Sequence, residues 1–207
     1  MKRKKSLTKE KIKQKALELF NEQNTLTITT NHIAKALAIS PGNLYYHFEN
    51  KEAIILALYE ELSFEFEALK SFQKIHQANN PLKALNEAYD AYGELFYKYR
   101  FLFRDIGVLQ ATYPKLKEIF LQNQAKRLRQ IEAVFKHLQE QNIITINQEQ
   151  IPLRAKLNWF ISSFWQSFIS LEQDITPTSI QEGKKIIFEI LLEPVLTQKG
   201  KKLYAKL

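Results

Sequence analysis

The stretch from Thr27 to Ala53, TITTNHIAKALAISPGNLYYHFENKEA, constrains this chain most, because it reads as two short helices joined by a tight turn with a third starting straight after. Thr29 or Thr30 can cap the first helix through its hydroxyl, and Ile33, Ala34 and Leu37 give that helix an apolar stripe at three-and-four spacing. Ala38-Ile39 makes the corner. Ser40 can cap the next helix, and Pro41 stands at its first position, where a missing N–H costs nothing. Leu44 and Phe48 face the core, which leaves Asn43, Tyr45, Tyr46 and His47 pointing elsewhere, as on a helix that reads a DNA groove. Asn50 then caps a third helix with Lys51 in its first turn. The helix dipole disfavours a cation there, and a phosphate partner would account for it.

The segment resembles the DNA-binding domain of the tetracycline-repressor (TetR) family of bacterial transcriptional regulators, over roughly Leu7 to Tyr59, with LYYHFENKE as its most specific part. The resemblance implies an all-α protein: a three-helix helix-turn-helix domain over residues 1–50 and a larger helical ligand-binding and dimerisation domain over 51–207. It implies phosphate contacts from Thr30, Tyr46, His47 and Lys51, and base contacts from Asn31, Pro41, Gly42, Asn43 and Tyr45. An isolated Tyr-Tyr-His-Phe run is more often core packing than contact surface, but the helix signals around this one reverse that order. Ala38 departs from the family, which usually places glycine in the turn. A left-handed alanine costs roughly 1 kcal/mol or more, so a reshaped turn is the expectation.

Charge is spread unevenly: residues 1–51 hold 10 Lys/Arg against 4 Asp/Glu, and the remainder 20 against 18. The positive field therefore sits on the helix-turn-helix end, where it steers toward a polyanion. Lys2, Arg3, Lys4 and Lys5 form a tail able to reach a neighbouring phosphate, or else a solvated leader. The absence of cysteine excludes disulfides and thiolate metal sites, and the four histidines have no metal-motif spacing, so no metal or cofactor is expected. No apolar run suits a signal peptide or a membrane span, which gives the expectation of a soluble cytoplasmic protein.

Beyond the reader, five glycines and recurrent three-and-four apolar spacing read as helix throughout. The expected helices run over 8–23, from Asn50 unbroken to about His76, from Pro81 to about Tyr99, through Phe101 to Gln110, and from Pro114 to about Gln141. Two final helices follow, over 153–171 and 180–196. The first is apolar around more than one face, so it is either central or shared with a partner. In the resembling family these two helices pair with their copies in a second subunit. Ile187 is assigned here to the outward face. Trp159 and Trp165, six apart, point in different directions, one toward a ligand region and the other toward the dimer.

The middle of the chain is dense in aromatics, as a pocket for a flat or greasy molecule would be. Tyr89, Tyr92, Phe96 and Trp159 are the expected ligand contacts. Asp90, Glu94, Arg100, Arg104 and Asp105 are the polar candidates, with Arg104 or Asp105 internal and paired. The resulting expectation is a homodimeric, ligand-released repressor on an inverted-repeat operator. The alternatives are a constitutive DNA binder without a ligand, and an all-helical enzyme, for which the sequence offers no nucleophile with a base and no carboxylate cluster.

Overall fold

The computed structural model describes residues 2–207, with side chains from Leu7 onward; the side chains of Lys2, Arg3, Lys4 and Lys5 lie outside the described residues. The described residues are mostly helical, with no strand among them. Local chemistry starts most of the helices. α1 (Lys2–Glu22) buries Ile12, Ala16 and Phe20 at i, i+4 and i+8. α2 (Thr30–Ala36) opens on a capping box between Thr29 and His32, and α3 (Pro41–His47) on Ser40 and Pro41. α4 (Lys51–Ala68) is capped by Asn50, whose side chain accepts from the Ala53 N–H at 2.9 Å.

α4 ends earlier than the apolar stripe suggests. Lys70 adopts a left-handed φ of 52°, and α5 (Ser71–Gln77) sets off afresh from it. α6 (Pro81–Lys98) follows the Asn80-Pro81 cap. The single helix expected through 101–110 is two, α7 (Arg100–Arg104) and α8 (Ile106–Thr112), because Asp105 leaves the helical region at φ −100°, ψ 16°. α9 (Pro114–Glu140) and α10 (Ile151–Ile169) are the long pair of the larger half. α11 (Pro177–Ile186) runs on as a π-helical turn over Ile187–Leu192 and a 3-10 turn over Glu193–Val195, and α12 (Gln198–Tyr204) closes the chain.

One apolar core runs from α1–α4 into α7, α8 and the start of α9, crossing the division expected at residue 50. Phe20 of α1 meets Phe101 of α7 with ring centroids 5.2 Å apart. A second core gathers α5, α6, α9, α10 and the π-helical turn. Trp165 is used inside the chain: its Nε1–H donates to the Ser179 carbonyl at 2.6 Å. A Cβ at position 183 would stand 2.7 Å from the Trp165 ring, so Gly183 lets α11 approach α10 closely. Ile187 also points inward, only 5% exposed. The π-turn's extra residue per turn shifts the later side chains out of α-helical phase, and Ile190 takes the outward place.

Candidate DNA-reading face and internal cavity

Ser40 caps α3 through the Asn43 N–H at 3.1 Å, and Leu44 and Phe48 anchor it. That leaves Pro41, Gly42, Asn43, Tyr45 and Tyr46 together on an exposed surface, with Asn31 exposed on α2 and His47 half-buried against the Tyr46 ring. Thr30 Oγ1 and Tyr45 Oη share a hydrogen bond of 3.1 Å, which ties α2 to α3 on this face. A Cβ built on Gly42 meets nothing within 4 Å, so packing within the chain does not require glycine there, and the backbone is open to close approach.

The turn keeps its left-handed residue: Ala38 has φ 52°, so the expected reshaping does not occur and the alanine carries the strain. Ala38→Gly should therefore stabilise the chain by about 0.5–1 kcal/mol, the relieved strain less glycine's extra unfolded-state entropy. A denaturant midpoint at or below that of the parent would contradict this.

Lys51 finds an internal partner. Its ammonium donates to the carbonyls of Thr25 and Leu26 and lies 5.6 Å over the Phe20 ring. Burial lowers its pKa, and the Asp105 charge partly offsets that. These carbonyls account for a cation at a helix start without any phosphate. The same loop is held from the other side. Arg104 donates to the Phe20, Asn21 and Gln23 carbonyls at 2.8, 3.1 and 2.7 Å, covering the C-terminal end of α1. It also pairs with Asp105 at 2.8 Å, and Asp105 accepts from the Thr25 hydroxyl at 2.5 Å. Asn21 adds bonds to the Lys98 carbonyl and the Phe101 N–H. Arg104 and Asp105 are thus internal together, fastening the reading head to α7. The parts played by Asn21 and Thr25 carry no periodic signal and are absent from the sequence reading.

In the larger half, a cavity of ≈ 80 Å³ lies between α4, α5, α6, α9, α10 and the π-helical turn, and Tyr89, Tyr92, Phe96 and Trp159 all line it. A second, of ≈ 70 Å³, adjoins it and shares Phe66, Phe96, Arg127, Trp159 and Ser162. Phe66 and Tyr92 stack at 4.2 Å and 7°. Burial pushes the Tyr92 hydroxyl up to about 12, so it stays protonated at neutral pH. None of the five polar candidates lines either of these cavities. Asp90 instead ties α6 to Lys184 and Gln181 of α11, and Arg100 stacks on Tyr97. Phe64 is exposed. The polar group that does enter is Arg127, missed in the sequence although it lies four and seven residues before Ile131 and Val134 on the inward stripe of α9.

The outer face of α10 carries an apolar stripe that continues past its end to Leu171, and Ile190 of the π-helical turn is exposed as well. Leu153, Leu157, Phe160, Phe168, Leu171 and Ile190 are 41–82% exposed, and half-buried Phe164 fills the gap.

Residues 12–58 match the model of bacterial regulatory proteins of the tetR family, and residues 63–204 the TetR model described as a bacterial transcriptional repressor. Over 51 residues the chain is 43% identical to the HTH-type transcriptional regulator UidR of Escherichia coli K12, spanning about a quarter of that relative's length (26%) and 25% of its own. The crystal structure of a TetR-family regulator from Marinobacter aquaeolei VT8 superposes with TM-score 0.84 at 28% identity, covering 96% of both chains. FadR of Thermus thermophilus, a TetR-family repressor solved with lauroyl-CoA, superposes with TM-score 0.51 at 19% identity over 87% of this chain and 93% of that one. Among the described residues no helix is long and apolar enough to cross a membrane.

Proposed function

The chain belongs to the TetR family of bacterial transcriptional regulators, and on that premise we propose that it is a homodimeric repressor released from an inverted-repeat operator by a small apolar or aromatic molecule. The observation that carries the ligand half of this reading is the aromatic cavity joined to the reading head by α4, which begins at Lys51 and brings Phe66 to the cavity wall. The T. thermophilus relative holds an acyl ligand in the same fold. The exposed stripe of α10 supports two-fold pairing, because a patch of that extent is a liability in a monomer.

Each chain carries one helix-turn-helix, so two-fold symmetry calls for two half-sites. α3, which carries Tyr46, is the reading element, with Thr30 and Asn31 of α2 beside it. His47 and Lys51 complete the proposed phosphate set, Lys51 through whatever hydrogen-bonding capacity its two carbonyls leave.

Footprinting on genomic fragments selected by the purified protein tests the reading. The expected result is protection of two inverted half-sites, lost on adding an apolar compound that enters the cavity. Protection of one asymmetric half-site would remove the dimeric reading; protection that no compound relieves would leave a constitutive binder. In the same assay Asn43→Ala should change which bases are tolerated by about 1–3 kcal/mol at one position of each half-site, whereas Tyr46→Phe should weaken all sequences alike. The reverse pattern would exchange their roles.

A further inference from the structure

We propose that the effector is a monoanionic amphiphile, an apolar body carrying one carboxylate-like group, and that its head is received where the two cavities meet, by Arg127 and the indole N–H of Trp159. This rests on the reading of the cavity as the sensing site and narrows the ligand class.

Arg127 is 6% exposed and lines both cavities. Its Nη1–H donates to Gln130 at 2.7 Å, its Nη2–H donates to Glu67 at 2.7 Å, and the guanidinium lies 4.0 Å over the Phe66 ring. Those bonds use two of the five N–H donors that a guanidinium carries. Trp159 stands on the same shared wall, and its buried Nε1–H has no acceptor among the described residues. Indole N–H and guanidinium N–H can only donate, so the molecule that satisfies them brings acceptors.

The charge points the same way. Glu67 is shared by Lys126 at 2.6 Å and Arg127 at 2.7 Å, so two cations meet one carboxylate. Burial pushes the Glu67 carboxyl up, but hydrogen bonds from Lys126 and Arg127 outweigh it and hold the pKa below the ordinary value, so Glu67 is charged and the trio keeps one positive charge in surplus, with Arg127 its buried member and Lys126 and Glu67 half exposed. A single anion balances it at little desolvation cost to Arg127, which is already buried. The rest of both walls is predominantly aromatic and aliphatic, and suits an apolar body. Glu67 stands next to the last residue of α4, so an anion competing with it for Arg127 loosens the link between α9 and the helix that carries the reading head.

The test uses the full-length protein and the neutral-pH binding of hexanoate, octanoate and decanoate, against the alcohols and the ammonium ions of the same chain lengths, followed by calorimetry. The expected order puts the carboxylate at least about tenfold tighter than its matched alcohol, with the ammonium weakest, as a charge-assisted pair requires. Arg127→Gln should bring the carboxylate down to the affinity of its matched alcohol. Trp159→Phe, which keeps an aromatic ring and removes the N–H, should weaken the carboxylate by about threefold to tenfold more than it weakens the matched alcohol. Alcohols that bind as well as carboxylates would overturn the proposal and leave an apolar sensing site standing. So would a preference that survives in both variants. Binding by none of the probes would overturn the proposal, and release of DNA by an aromatic compound in the footprinting assay would then leave the sensing reading standing without it.

Discussion

Phe160→Glu should yield a folded monomer that no longer holds its operator. Phe160 is 59% exposed at the middle of the α10 stripe, stacked on Phe164 with ring centroids 5.5 Å apart, so its removal leaves the core of the protomer untouched. Covering the ring in a partner is worth about 2 kcal/mol. In a two-fold interface the same patch occurs on both sides, so each substitution counts twice and the dissociation constant of the dimer should rise by about a thousandfold, before the penalty of burying two glutamates is added. Operator affinity should then fall by about a hundredfold or more, because the second half-site is no longer delivered by a tethered copy. Sedimentation equilibrium and fluorescence anisotropy read the two effects. A dimer of unchanged strength would take α10 out of the interface. Ile187→Glu is not an equivalent experiment, since Ile187 is buried at the cavity wall and the substitution would disturb the fold.

Arg104→Ala should lower stability by about 3 kcal/mol, or about 6–12 °C in Tm for a chain of this size. The guanidinium satisfies three carbonyls at the end of α1 and is paired to Asp105, and both side chains are mostly buried, 20% and 12% exposed. Removing it strands a carboxylate as well as a helix end. Lysine at the same position keeps the charge without the fork and should recover only part of the loss.

The pH dependence adds a second check. Burial raises the Asp105 pKa, but hydrogen bonds from Arg104 and Thr25 and the Arg104 charge outweigh it, and the net value lies below 3.8. The pair therefore contributes stability that is full above the unfolded pKa and is lost as pH falls through the depressed folded value. The deficit of the alanine variant should accordingly shrink below about pH 4. A deficit independent of pH would assign it to the helix end alone.

Much of this fold is written in short-range chemistry. Thr29, Ser40-Pro41, Asn50 and Asn80-Pro81 each start a helix by satisfying N–H groups within three residues of themselves. For that reason the helix-turn-helix, the break before α6 and the exposed face of α3 are legible in the order of the residues. The stripe on α10 is legible too, because helical periodicity alone determines which side chains share a face. The four aromatic residues expected at a ligand are brought together around one cavity for the same reason, each lying on the inward stripe of its own helix.

What the tertiary structure alone decided depends on partners far away in sequence. A lysine with a left-handed φ ends α4 where the apolar stripe gave no stop signal. Lys51 turned to carbonyls 25 and 26 residues away, and Arg127 to a glutamate 60 residues earlier. Asp105 split one expected helix in two while bonding to Thr25, 80 residues before it. Ile187, the first residue of the π-helical turn, faces inward, and the outward place falls to Ile190. A charged side chain or an irregular turn is placed by whichever buried acceptor, donor or close-packed neighbour the assembled chain brings to it, and local spacing carries no record of that partner.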